Sequence, residues 1–177
     1  LSLNEFIPKL QLPSKTVTAM AYSKARIKLR HTAFIELNNT AVVQTMYEDG
    51  DYQTLYGLRI LAIDGSKIML PFNSATVEAF GTIAYHNKPA GIQGEHCYAR
   101  ASVLYDVLNK VALDAQLLPC ATSELKLAEL HLPHVSQHDL VIYDRNYAGY
   151  RMLARTTMTQ AQGNCILNPN HTLVRQS

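Results

Sequence analysis

Two stretches run several apolar residues into an aspartate, and they hold the side chains of this chain best suited to chemistry. They are Ile60-Leu61-Ala62-Ile63-Asp64-Gly65-Ser66 and Leu140-Val141-Ile142-Tyr143-Asp144-Arg145. If these runs are adjacent parallel strands, both carboxylates reach one sheet edge, where open α/β sheets bind ligands. Carboxylates held close together repel, so such a pair either shares a proton or holds a hard divalent cation. Each aspartate taken alone has a simpler reading, as the cap of a turn or of the following helix. Other groupings are weaker. His131, His134 and His138 are spaced for zinc on a helix, but Pro133 interrupts that helix and no nearby cysteine completes a tetrahedron. Glu95-His96-Cys97 sets a thiol beside a base, yet adjacent strand residues point to opposite faces.

The elements around the two aspartates can be read from periodicity. Thr16 or Thr18 caps a first helix to about Arg30, and Thr32 caps a second to about Tyr47. Glu48-Asp49-Gly50-Asp51 breaks the pattern, so a helical segment over 1–50 precedes a main domain over 51–177. Leu58 to Asp64 is a buried strand that Gly65-Ser66 ends. Residues 71–95 are rich in Pro, Gly and Asn and read as loop, with a helical turn near Val77. Tyr98–Leu108 and Val111–Leu118 flank Asn109-Lys110 as a hairpin. Ser123 caps a helix, Leu140–Tyr143 is a short strand, Tyr147–Gln160 is helical, and Cys165–Leu167 is a last strand. A hairpin followed by βα units gives a mixed sheet with helices packed on it.

Composition excludes several classes. At 177 residues, 47% apolar and 17% charged, the chain is neither disordered nor fibrous. It has no apolar run long enough to span a membrane and no secretory apolar block near its start. Three scattered cysteines make no disulfide framework, which fits a reducing, cytoplasmic setting. The net charge of +2 conceals a basic head: residues 1–30 carry six basic side chains and one acidic. Lys24, Arg26, Lys28 and Arg30 therefore either meet a polyanion or form a solvated face. Tyr22 among them either touches nucleic-acid backbone or packs on the second helix.

Leu61-Ala62-Ile63-Asp64-Gly65-Ser66, Ser123-Glu124-Leu125 and Asp139-Leu140-Val141-Ile142-Tyr143-Asp144-Arg145-Asn146-Tyr147 together resemble the DDE transposases of bacterial insertion sequences, of the insertion-sequence-four type. Ala21-Tyr22-Ser23-Lys24-Ala25-Arg26 is similar to that family's N-terminal helix, so the resemblance runs from about Val17 to about Leu167. It implies a ribonuclease-H-like fold, with the first aspartate on the central strand and the second after a neighbouring one. It implies that Asp64 and Asp144 are catalytic metal ligands, and that two Mg²⁺ (or Mn²⁺) ions serve DNA strand cleavage and strand transfer. The partners it implies are transposon ends and target DNA, with a homo-oligomer for a longer parent and no membrane. Gly65 would let the chain turn beside the metals, and Arg145 would pair with a phosphate or form a structural salt bridge.

Three departures stand out. Asn146 replaces a glycine of the second motif, and Asn168 stands where an arginine is common. The third carboxylate, a glutamate on a later helix, has no counterpart, since residues 145–177 contain no Asp or Glu. Glu124 matches a family position but reads as structural, at a helix N-terminus that favours negative charge. Together with a first residue that is not Met, this reads as a piece of a longer transposase, inactive by itself. The competing readings are a non-catalytic nucleic-acid-binding domain, degenerate or domesticated, and a hydrolytic nuclease on the same fold.

Overall fold

Ile60, Leu61 and Ile63 drive the first strand into the interior, and everything else in the main unit is arranged around that strand. The structure is a computed structural model and describes residues 18–87, 92–147, 149–158 and 165–167. The chain divides into two units, Leu1–Thr45 and Met46–Ser177.

In the first unit Thr18 caps α1 (Ala19–Ile27), its hydroxyl accepting from the Ala21 N–H at 3.1 Å. A break at 28–30 leads into α2 (His31–Leu37), which continues through a π-helical stretch, Asn38–Gln44, into α3 (Thr45–Glu48), whose residues from Met46 on belong to the second unit. Thr32 does not cap α2. The N-cap position is Arg30, and no side chain bonds there. No residue of these helices is buried.

The second unit is a mixed α/β structure whose main sheet has five strands flanked by helices. The strands are β1 (Arg59–Met69), β4 (Tyr98–Asp106), β5 (Val111–Pro119), β6 (Asp139–Tyr143) and β7 (Cys165–Leu167), in the order β5-β4-β1-β6-β7. β4 runs antiparallel to both β1 and β5, while β6 runs parallel to both β1 and β7. β1 is therefore central. The β4–β5 hairpin forms as its sequence predicts, with Lys110 at a φ of 57° in the turn. Buried Asp106 holds that turn by accepting from the N–H groups of Leu108 and Asn109 at 3.1 and 3.0 Å.

Two expectations fail in the stretch from β1 to β3. β1 does not end at Gly65-Ser66 but continues to Met69, because β4 pairs with it as far as Met69↔Tyr98 after β6 has stopped. Residues 71–95 are not mostly loop. Asn73 and Thr76 form a capping box that starts α4 (Ser74–Phe80). β2 (Ile83–Asn87) and β3 (Ile92–His96) then pair as a separate antiparallel hairpin.

α5 (Glu124–His131) starts on the Ser123 cap as expected, and a 3₁₀ turn, Leu132–His134, follows it. The last helix starts later than periodicity suggests: a 3₁₀ turn over Arg145–Tyr147 precedes α6 (Tyr150–Met158), and the expected end at Gln160 lies outside the described residues. Both helices lie on one sheet face. His131 of α5 reaches Ser102, and Thr156 of α6 bonds the Tyr143 hydroxyl at 2.8 Å. Leu61, Ile63, Leu104, Leu127, Val141 and Met152 fill the space between them. Among the described residues no helix is long and apolar enough to cross a membrane.

Candidate metal site at the strand ends

The parallel ladder between β1 and β6 runs from Arg59↔Asp139 to Ile63↔Tyr143, and the next residue on each strand is an aspartate. Parallel partners point to the same face and neighbouring strands lie about 4.8 Å apart, so the register brings Asp64 and Asp144 to one sheet edge, each one residue past the last paired rung. Eighty residues of sequence separation are closed by this one register. Asp64 is exposed and Asp144 half-buried. Their hydrogen bonds are local: Asp64 Oδ1 accepts from the Gly65 N–H at 2.8 Å, and Asp144 Oδ2 accepts weakly from the Asn146 amide at 3.5 Å. Among the described side chains neither aspartate joins a salt bridge.

Gly65 is not a turn. It lies within β1, where a side chain would crowd its neighbours: an added Cβ would sit 3.3 Å from the Tyr147 hydroxyl and 3.4 Å from the Ala101 carbonyl. The glycine thus leaves room for Tyr147, which is 2% exposed. Burial, and then the negative charges of Glu124, Asp64 and Asp144 against the opposing charge of Arg100, push the Tyr147 phenol up to about 12. It remains a neutral hydroxyl beside the acidic edge.

Glu124 also comes close, with its Cγ 3.6 Å from that Cβ position and its carboxylate paired to Arg100 at 2.5 Å. Successive strand residues face opposite ways, so Glu124 approaches on the face opposite to the Asp64 side chain. Among the described residues no group of three or more His, Cys, Asp or Glu side chains is arranged to hold a metal ion. Among the described side chains the edge offers two hard carboxylates, a donor type that suits a divalent cation such as Mg²⁺.

The remaining candidates separate. Lys24 and Arg26 lie on α1 and Lys28 caps its end, while Arg30 occupies the N-cap of α2; all four are exposed. Helical rotation places Lys24 and Lys28 on one side of α1 and Arg26 on the other. Arg145 opens the 3₁₀ turn after Asp144, and its side chain lies outside the described residues, as does Asn168.

The histidines form no zinc site. His131 is fully buried, with Nδ1 2.7 Å from Asp114 and Nε2 2.9 Å from the Ser102 hydroxyl. His134 is half exposed, 3.8 Å from the same Asp114, and His138 faces Gln137. Burial pushes the His131 imidazole below its ordinary value, and Asp114 opposes that only in part. The neutral ring donates to Asp114 and accepts from Ser102. Cys97 is buried as well, its thiol donating to the Thr76 carbonyl at 3.4 Å.

Comparison with family models, with curated proteins and with solved structures gives no match.

Sequence reasoning passed over Arg59 and Asp139. The Arg59 guanidinium grips the Asp139 carboxylate with two bonds, at 2.6 and 2.8 Å, and lies 4.8 Å above the Tyr47 ring. The signal was present in the spacing. Arg59 precedes Asp64 by the same interval at which Asp139 precedes Asp144, with apolar and Tyr residues between. Opposite charges at matching positions mark which residues of two parallel strands are neighbours.

Proposed function

We propose that this chain belongs to the catalytic domain of a DDE-type DNA transposase with a ribonuclease-H-like core. In this reading Asp64 and Asp144 are metal ligands for DNA strand cleavage and strand transfer. One observation supports it: the β1–β6 register, whose last rung, Ile63↔Tyr143, directly precedes both aspartates on the central strand and its parallel neighbour, with no cationic partner among the described side chains. Two Mg²⁺ or Mn²⁺ ions would supply an activated nucleophile and a stabilised leaving oxygen. The chain's own residues hold and orient. Asp64 and Asp144 offer hard oxygens at an accessible edge, and Tyr147 keeps a neutral hydroxyl beside them. Arg145 follows Asp144 closely enough to meet a phosphate, while Lys24, Arg26, Lys28 and Arg30 bind duplex backbone.

The second reading, a non-catalytic nucleic-acid-binding domain, is favoured by the position of Glu124. Glu124, which comes close to Gly65, is paired with Arg100 and so carries no free charge for a metal.

Titration with Mn²⁺, followed by electron paramagnetic resonance, tests the main reading. Saturable binding that disappears in both Asp64→Asn and Asp144→Asn is the expected result. Binding that survives both substitutions, or no binding to the parent chain, ends it. With two carboxylates only, no nicking of transposon-end DNA is expected from this chain. Duplex binding with a negative salt slope, flattened by neutralising the four basic residues of the first unit, tests the partner.

A further inference from the structure

The alternation of apolar residues in β1 and β6 leaves one register error open. Leu61 and Ile63 face the same covered side as Val141 and Tyr143. A slip of one residue would turn these to the wrong face, so burial excludes it. A slip of two residues restores the facing. It would still displace Asp64 from Asp144 by about 6.6 Å along the strands. Hydrophobic patterning alone cannot exclude that error.

The Arg59–Asp139 pair can. It occupies the first rung of the ladder whose last rung directly precedes the two aspartates. Asp139 is fully buried, and Ser136 holds it by its N–H at 2.6 Å and its hydroxyl at 3.0 Å. Arg59 is fixed from the other side by the Tyr47 ring. A two-residue slip would pull this fork apart and leave a carboxylate buried without its cation, a costly state. We propose that Arg59 and Asp139 are positioning residues that pin the β1–β6 register and so set Asp64 beside Asp144. This deepens the metal-site reading and rests on it for its purpose, though the pinning itself can be tested without metal.

The experiment places thiols at the far end of the ladder. With Cys97, Cys120 and Cys165 each replaced by alanine, an Asp64→Cys/Asp144→Cys chain is treated with dibromobimane, which fluoresces strongly only after both arms react with neighbouring thiols; chains with one introduced cysteine give the background. Into this chain goes Arg59→Met/Asp139→Leu, which removes both charges together and so preserves stability. A severalfold fall in cross-linking at an unchanged unfolding midpoint is expected. In the chain with native aspartates, the same apolar pair is expected to weaken Mn²⁺ binding about tenfold, as loss of a supporting residue behind metal ligands does. Unchanged cross-linking overturns the proposal. Should the apolar pair fail to fold, Arg59→Lys serves instead, keeping the charge without the two-pronged grip; undiminished cross-linking there also overturns it. Cross-linking that falls while no variant binds Mn²⁺ upholds the register pin and sinks only the metal reading.

Discussion

The two ends of the β1–β6 strand pair carry acidic side chains under opposite conditions. At the entry end Asp139 is fully buried and accepts four hydrogen bonds, two from Arg59 and two from Ser136. Asp106, at the matching end of β4, is equally buried and accepts from Leu108, Asn109 and the Tyr47 hydroxyl. At the exit end Asp64 and Asp144 follow the last rung of the ladder and have few donors. Burying a carboxylate is tolerable only when its lone pairs are satisfied. The entry carboxylates are therefore committed to the fold, whereas the exit pair makes only local hydrogen bonds.

The largest effect separating the ends is expected from Asp139→Ala. It strands the Arg59 guanidinium without its anion and should cost about 3–5 kcal/mol, read as a lower urea midpoint. A loss as small as that of a surface substitution would erase the distinction between the ends. Next comes Tyr47→Phe. Burial and the neighbouring Asp106 hold this phenol well above its usual range, so it stays protonated and donates. Removing the donor should cost about 1–2 kcal/mol, and Tyr47→Phe with Asp106→Asn should cost less than the sum of the two.

His131 provides a pH-dependent contrast with the exit carboxylates. Its folded-state affinity for a proton is lowered by burial, so the unfolded chain binds the proton more tightly. Stability from this group is complete above about pH 6.5 and declines below it, by at most about 1.4 kcal/mol per pH unit. Asp114, held below its ordinary value by Gln116 and His131, adds stability that is lost only at lower pH. Urea midpoints at pH 7.5 and 5.5 should differ for the parent chain and differ less for His131→Asn. An equal difference in both would place the titrating group elsewhere.

The smallest effect on folding belongs to the exit end. Asp64→Asn and Asp144→Asn should each change stability by less than about 0.5 kcal/mol while removing Mn²⁺ binding. A large destabilisation by either would make that aspartate a structural residue like Asp139.

The strands themselves were legible because their apolar runs are short, dense and bounded by charge or turn residues. Leu140–Tyr143 and the Asn109-Lys110 hairpin reappear almost unchanged in the structure. The hairpin of β2 and β3 escaped notice because Pro89 and Gly91 between its arms look like continuous loop. The histidine run was discounted from the sequence because Pro133 interrupts it, and the structure adds that His131 points inward to Ser102 and Asp114.

Residue order alone determined that two apolar runs end on aspartates, because that is a property of consecutive side chains. Tertiary structure decided that these runs are neighbours, that they are parallel, and that their register sets Asp64 beside Asp144. It also turned Glu124 toward Arg100 on the opposite face, which no local pattern encodes. The physical reason is that strand pairing joins residues far apart in the chain. Its register depends on burial, ladder hydrogen bonds and pairs such as Arg59–Asp139, which exist only once the strands have met.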